Sequence, residues 1–173
     1  YKRQGLDHAV AVGLSGGADS LALMAALVAE GHDVLALCVD HGLQVGSRAQ
    51  AQRAAEQARN LGARAQVLSV EAGAAAGAES MEAAARAARY RALAAACAGE
   101  GFEVAVAHTA DDQAETLLLG ALRGRVTGMS ERSEVEGARV VRPLLGVRRA
   151  DTEGACTELG LSAWQDPQNA DTN

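Results

Sequence analysis

The chain is poor in aromatic residues, in paired cysteines and in long apolar runs. Aromatic residues make up 2% of its 173 positions, so a core must be built from Ala, Val and Leu. Its cysteines, Cys38, Cys97 and Cys156, lie far apart in apolar or helical surroundings. No CxxC occurs, which argues against zinc and iron–sulfur sites; scattered, odd-numbered thiols read as buried free cysteines in a reducing cytoplasm. No apolar run reaches about 18 residues, so no membrane span is expected. No basic segment followed by a long apolar core opens the chain, so no signal peptide is expected. The lysine of GxxxxGK[ST] is missing, and so is a GxGxxG fingerprint. Those two absences argue against a Walker loop and against a dinucleotide site.

What is present suits one well-cored domain: 49% hydrophobic and 22% charged residues over 173 positions. The net charge of −6 argues mildly against a strong nucleic-acid binder. Charge is unevenly spread, however. Between Arg123 and Arg149 seven arginines face three glutamates, a local net of +4. That stretch suits phosphates, or is simply a solvated basic face.

Residues Ala9 to Ser20 read AVAVGLSGGADS. An apolar run meets Ser15-Gly16-Gly17-Ala18-Asp19-Ser20, and a segment with helical spacing follows. This is a strand, a tight glycine turn and a helix N-terminus. Such a turn aims several backbone N–H groups at one spot, where the helix dipole adds positive potential. Adjacent glycines let a ligand approach the backbone without meeting a Cβ, and the Ser15 and Ser20 hydroxyls can donate to anionic oxygens. An ordinary turn capped by Asp19 or Ser20 is the plainer alternative. Serines on both sides of the glycines favour the phosphate site.

Helical spacing continues to Glu30, and Gly31 supplies a C-terminal glycine. Val34 to Val39 is a continuous apolar run, as in a parallel strand buried on both faces, and ends at Asp40-His41-Gly42-Leu43. Ser47 caps a predicted helix to about Leu61. Arg64 to Val70 is a third strand, Ser80 to about Ala98 a helix, Glu103 to Ala107 a fourth strand, and Asp111 to Leu122 a helix. Gly124 to Gly137 reads as a polar mobile loop, Arg139 to Val141 as a short fifth strand, and Arg148 to Leu159 as a last helix. This alternation predicts an α/β domain: a doubly wound parallel sheet of about five strands with helices on both faces. Ligands of such sheets bind beyond the carboxyl ends of the strands, where Ser15, Asp40 and His108 all fall.

His108, Asp111, Asp112 and Glu115 recur at i, i+3, i+4 and i+7, so they share one helical face, with Leu117, Leu118, Ala121 and Leu122 on the buried side. Like charges at this spacing make sense around a cation: Mg²⁺, a substrate ammonium, or an arginine from elsewhere. The plainer alternative is a solvated acidic helix N-terminus.

SGGADS resembles the SGGxDS loop of the N-type ATP pyrophosphatases. Several further stretches, in order along the chain, are similar to one member group, the tRNA(Ile)-lysidine synthetases. They are Val39 to Leu43 (VDHGL), Glu82 with Ala85 to Arg91 (the ARxxRYR helix), His108 to Thr116 (HxxDDQxET), Val141 to Leu145 (RPLL), and Trp164 to Asp171 (DPSNxD). The resemblance covers nearly the whole chain. It implies an adenine nucleotide α-hydrolase-like fold, and ATP and Mg²⁺ as cofactors. The partners it implies are free L-lysine and an isoleucine tRNA with a CAU anticodon; no membrane is implied, and a homodimer is allowed.

The implied reaction adenylates the wobble cytidine at its C2 oxygen with release of pyrophosphate, after which the lysine ε-amine displaces AMP. Ser15, Gly16, Gly17, Ala18, Asp19 and Ser20 would then hold the pyrophosphate, and Asp40 and His41 would lie by the adenosine. Asp19, Asp111 and Asp112 would be candidates for the metal. His108, Asp111, Asp112, Glu115 and Arg89 would serve catalysis, His108 orienting phosphate or substrate rather than transferring a proton. Arg86 and Arg89 would approach the adenylate or partner the acidic face, and Tyr90 would pack. Arg123 to Met129 is shorter than the family's glycine-rich loop, and family members continue past the motif that ends this chain. Residues 1–173 therefore read as the catalytic domain, with the tRNA-gripping domains outside it. A tRNA thiolase, an amide-forming synthetase and a non-catalytic nucleotide-binding domain of universal-stress type are the competing readings.

Overall fold

The computed structural model describes residues 9–40, 42, 46–70 and 78–164. Along the chain run β1 (Ala9–Gly13), α1 (Ala18–Ala29), β2 (Asp33–Asp40), α2 (Ser47–Asn60), β3 (Arg64–Ser69) and α3 (Ala78–Cys97). They are followed by β4 (Val104–Ala105), α4 (Ala110–Leu122), β5 (Arg132–Val135), β6 (Ala138–Val141) and α5 (Arg149–Glu158). The strands form one six-stranded sheet in the order β3-β2-β1-β4-β6-β5. All neighbours are parallel except β5 and β6.

Alternation along β1 explains the two layers of helices. Val10, Val12 and Leu14 pack with Leu21, Met24 and Leu27 of α1, Ala51, Ala54, Ala55 and Ala58 of α2, and Cys156 of α5. Ala11 faces the other way, into a cluster with Tyr90, Leu93 and Cys97 of α3. The small side chains of α2 are what its place against the sheet demands, and they account for a core with few aromatics. All three cysteines are buried and free, as expected from their settings.

Four expectations need correction. Arg132 to Val135, expected within a loop, is an edge strand paired antiparallel to β6. Its polar alternation hides it, and the hairpin turn uses Glu136 and Gly137, with φ of 50° and 81°, as a two-residue turn between twisted strands requires. The fourth strand is only Val104–Ala105. Ser47 does not cap α2 but is its first helical residue, with Gly46 at the cap; its hydroxyl instead donates to Asp40 Oδ1 at 2.6 Å. Finally, α4 buries none of its residues: Leu118, Leu119 and Leu122 are exposed. This helix is held by polar contacts at the sheet rim rather than by an apolar face on the sheet. His41, Leu43, the loop at 71–77 and the segment at 165–171 lie outside the described residues.

Tyr90 is fully buried, and its hydroxyl finds no hydrogen-bond partner among the described residues. An unpaired buried hydroxyl is a net burden on the fold. Tyr90→Phe is therefore expected to leave stability unchanged or to raise it by up to about 1 kcal/mol, read by urea denaturation. A loss of more than that would mean the hydroxyl is paired.

Candidate functional site

The order of strands creates the site. β1 lies between β2 and β4, so the chain leaves the carboxyl ends of two neighbouring strands, β1 and β4, in different directions. A crevice opens there, the usual ligand position in such sheets. Ser15 follows β1 and His108 follows β4. A cleft of about 430 Å³ at this point is lined by Ser15, Gly17, Asp19, Arg89, His108 and Asp112, among others.

The loop after β1 has the geometry of an anion cradle. Gly16 takes φ of +87°, which disfavours any other residue, and an added Cβ would sit 3.4 Å from Ala54. Gly17 is the helix N-cap, and among the described residues no side chain caps the first turn of α1. The early backbone N–H groups of α1 are thus available to a ligand. The cradle is braced from within. Ser20 Oγ donates to the Gly17 carbonyl at 3.0 Å and accepts from Ser15 N at 3.2 Å. Ser20 is buried and its hydroxyl also lies 3.1 Å from that of Ser15, so it holds the loop's shape, whereas Ser15 is exposed. Outside contacts fix the loop further: Gln50 Nε2 donates to Ser15 O at 3.2 Å, and Trp164 N to Gly16 O at 2.9 Å.

Asp111, Asp112 and Glu115 come together around Arg149 of α5, but His108, expected on the same helical face, precedes the N-cap Thr109 and meets Arg142 instead. The Arg149 guanidinium lies 2.8 Å from Asp112 Oδ1, 3.7 Å from Asp19 Oδ2 and 3.8 Å from Glu115 Oε1. Its backbone N–H donates to Asp111 Oδ2 at 2.7 Å. An arginine from elsewhere, one of the cations the sequence allowed, thus stands among the carboxylates. Burial pushes the Asp19 carboxyl above the ordinary carboxylate range, although the Thr152 hydroxyl and Arg149 pull the other way. Among the described residues no group of three or more His, Cys, Asp or Glu side chains is arranged to hold a metal by itself.

Asp112 has a second task. Its Oδ2 accepts from Thr109 N at 2.7 Å and from Thr109 Oγ1 at 2.8 Å, starting α4 with a capping box. Asp40 sits at the rim, but its Oδ1 accepts from Gly42 N at 3.0 Å and from Ser47 Oγ, tying β2 to α2. Arg89 lines the cleft with its guanidinium 5.2 Å from the Tyr90 ring, and Arg86 lies 5.1 Å from the same ring.

No role is read from the sequence for three residues of the site, although Arg142 lies in the RPLL stretch and Gln113 in HxxDDQxET. Arg149 and Arg142 belong to the basic stretch, which does not form one basic surface: Arg149 turns to the carboxylates and Arg142 is buried. Gln113 brackets the loop after α4, accepting from Met129 N at 2.6 Å and donating to Met129 O at 2.9 Å. Its place within DDQAET was the only signal.

Comparison with known proteins gives a consistent result. The PP-loop domain family matches residues 2–173. The tRNA(Ile)-lysidine synthase of Corynebacterium glutamicum is 54% identical over 166 residues, covering 96% of this chain and 51% of that protein. The tRNA(Ile)-lysidine synthase of Corynebacterium diphtheriae is 57% identical over 164 residues, covering 95% and 52%. The chain thus spans about half the length of the curated relatives it matches. Among solved structures, the U34-tRNA thiolase NcsA of Methanococcus maripaludis, described with its [4Fe-4S] cluster, superposes with a TM-score of 0.75 at 20% identity, covering 94% of this chain and 61% of that one. The NMN synthetase of Francisella tularensis gives 0.65 at 17%, covering 88% and 62%. At such identities these two structures speak for the fold.

The raised Asp19 carboxyl has a consequence for stability. Its folded-state pKa lies above the unfolded value, so its contribution is most favourable below about pH 3.9 and is lost as pH rises through the folded value. Asp19→Asn, which keeps the shape and removes the charge, is expected to melt at the same or a higher temperature than the parent at pH 7. The difference should close as pH falls toward 4. A variant clearly less stable at pH 7 would mean that Arg149 and Thr152 more than compensate the buried charge.

Proposed function

Because the chain belongs to the PP-loop domain family, we propose that it is the ATP-using part of a ligase that forms lysidine in isoleucine tRNA with a CAU anticodon. The observation that carries this reading is the joining, in one cleft, of an uncapped anion cradle at α1 with Asp112, the residue through which the acidic face of α4 reaches the cleft. The cradle suits the pyrophosphate of ATP. The carboxylates suit a substrate cation, here the ε-ammonium of free L-lysine. The names of the relatives supply the RNA.

In this reaction the C2 oxygen of the wobble cytidine attacks the α-phosphorus of ATP. A P–O bond to the base forms as the bond to pyrophosphate breaks. The ε-amine of lysine then attacks C2 and expels AMP, losing a proton as the C–N bond forms. Ser15 and the first N–H groups of α1, from Ala18 to Ser20, would hold the leaving pyrophosphate. Glu115, the least engaged carboxylate of the acidic face, would receive the lysine ammonium, and Arg89 would face the adenylate. His41 belongs to the proposed adenosine side with Asp40.

Mg²⁺ fits this rim. A small hard cation takes one or two carboxylates and completes its shell with phosphate and water, so no all-protein cage is needed. Asp19 suits it best, because its buried charge is incompletely compensated; Asp111 and Asp112 already accept from Arg149. Bound there, the cation would neutralise charge on the phosphate oxygens.

A sulfur-transfer reading is less well supported. Cys38 and Cys156 are buried in one core cluster and Cys97 in the other. Burial pushes the Cys38 thiol up to about 11, which disfavours the reactive thiolate. A universal-stress type of domain would have no use for the acidic face. No described helix is long and apolar enough to cross a membrane, in keeping with a tRNA enzyme of the cytoplasm.

The full-length protein, given ATP, Mg²⁺ and isoleucine tRNA with a CAU anticodon, is expected to release AMP and pyrophosphate in a lysine-dependent manner. Full activity with ammonia or a sulfur donor in place of lysine would overturn the assignment, as would nucleotide binding without pyrophosphate release. Ser15→Ala and Asp19→Ala should each lower the rate by about 100-fold or more. Their circular dichroism should be unchanged, since a rim turn contributes little core.

A further inference from the structure

Arg142 is a charged residue that the reaction as described leaves without a role, yet it is buried, with 6% of its surface exposed. It follows β6, whose Val141 pairs with Ala105 of β4. Its backbone N–H donates to Glu131 O at 2.8 Å, and Val106 N donates to Val141 O at 2.9 Å. The main chain on both sides of its side chain is therefore fixed. The guanidinium is fixed as well: Nη1 donates to Ser130 O at 2.8 Å and to Ser133 Oγ at 2.9 Å. Its remaining directed contact is Nε to His108 Nδ1 at 3.3 Å.

That contact settles the chemistry of the imidazole. A guanidinium has donors only and does not lose its proton in proteins. His108 Nδ1 must then offer its lone pair, and the single proton of a neutral imidazole must sit on Nε2. An imidazolium would turn N–H against N–H and place two positive charges together. Other charges around the ring act mostly in the same sense. Burial first, then Arg142, Arg86 and Arg89 hold His108 in its neutral form, down to a pKa of about 4, with Asp112 opposing them. His108 lines the cleft, and with Nδ1 turned to Arg142, Nε2–H is the group it can offer there.

We propose that Arg142 is a positioning residue that locks His108 as a neutral Nε2–H donor, and that this donor binds an oxyanion of the adenylate. The oxyanion's identity rests on the ligase reading above; the locked tautomer does not. A ring so held cannot act as a general base at its cleft-side nitrogen, because that nitrogen already carries the proton. It stabilises negative charge on phosphate instead.

The lock is tested without turnover. In ¹⁵N-labelled wild-type protein, long-range ¹H–¹⁵N correlations of the His108 ring should show the Nε2–H form and no titration between pH 5.5 and 8. An Nδ1–H form, or a midpoint near the ordinary value of about 6.5, overturns the proposal whatever the enzyme does. The donor role is tested by rate. His108→Ala should lower AMP release by about 100-fold, and His108→Gln, whose amide nitrogen can stand where Nε2 stood, should recover at least about tenfold of it. Equal losses in both overturn the donor role.

Arg142→Met adds a pH signature: released from the lock, the ring populates the wrong tautomer when neutral, while the imidazolium regains Nε2–H. The variant's deficit should therefore shrink as pH falls toward the ring's own midpoint, which burial, Arg86 and Arg89 still hold below the ordinary value, whereas a general base would lose activity there. If this buried variant does not fold, the wild-type spectrum and the two His108 variants still decide the matter. Absence of any lysine-dependent AMP release with an Nε2–H spectrum intact would count against the ligase reading and leave the lock standing.

Discussion

The pairing of β1 with two parallel neighbours is the constraint from which the site follows. Ala11 and Val12 are in register with Leu35 and Ala36 on one side and with Val104 and Ala105 on the other. The connection from β1 crosses to β2 through α1, while the chain leaving β4 goes on through α4 toward β6. Two loops that diverge from adjacent strands cannot cover the gap between them. The gap is left at the positive end of α1, where backbone N–H groups have no partner in their own helix. An apolar strand with small side chains is needed here because both faces of β1 are covered by helices.

Charge in this rim is arranged by long-range contacts. The acidic residues of α4 and α1 would repel one another if left alone. Arg149, at the first position of α5, is brought among them by the packing of α5 on α1, where Cys156 is buried and its thiol meets the Ala18 carbonyl at 3.2 Å. A guanidinium can serve several carboxylates at once because its five donors point outward in a plane. Its distances to them differ, from 2.8 Å at Asp112 to 3.7 Å at Asp19 and 3.8 Å at Glu115, so compensation is uneven. Asp19, whose carboxyl burial pushes above the ordinary range, stands next to the cradle.

Much of this was legible in the sequence wherever the signal was local. The apolar runs gave the strands, the glycine turn gave the cradle, and the i, i+3, i+4, i+7 spacing gave the acidic face. Failures occurred where a distant partner decided the outcome. The leucines of α4 look like a buried stripe, but the helix is anchored by Arg149, Met129 and its own capping box, and the stripe faces outward. Arg132 to Val135 looks like loop because its partner β6, not its own composition, makes it a strand. Arg142 and Arg149 looked like two members of one basic face; only the fold separates them.

Asp112 joins the local and the long-range parts of the design. One of its oxygens closes the capping box with Thr109, a residue with no exposed surface. The other receives Arg149. The carboxylate that starts α4 is thus the one that fixes where the acidic face stands relative to α5, and hence to the cradle. Its position cannot drift without uncapping the helix, and the helix cannot fray without releasing the arginine. His108, one residue before the cap, is held at the other side by Arg142 from β6. The turn 108–112 is therefore pinned from two neighbouring parts of the chain, and the side chains of His108 and Asp112 stand in fixed relation before any ligand arrives. Preorganisation of this kind lets donors and acceptors act on a transition state without first reorienting, and it is obtained here from one short turn and two arginines.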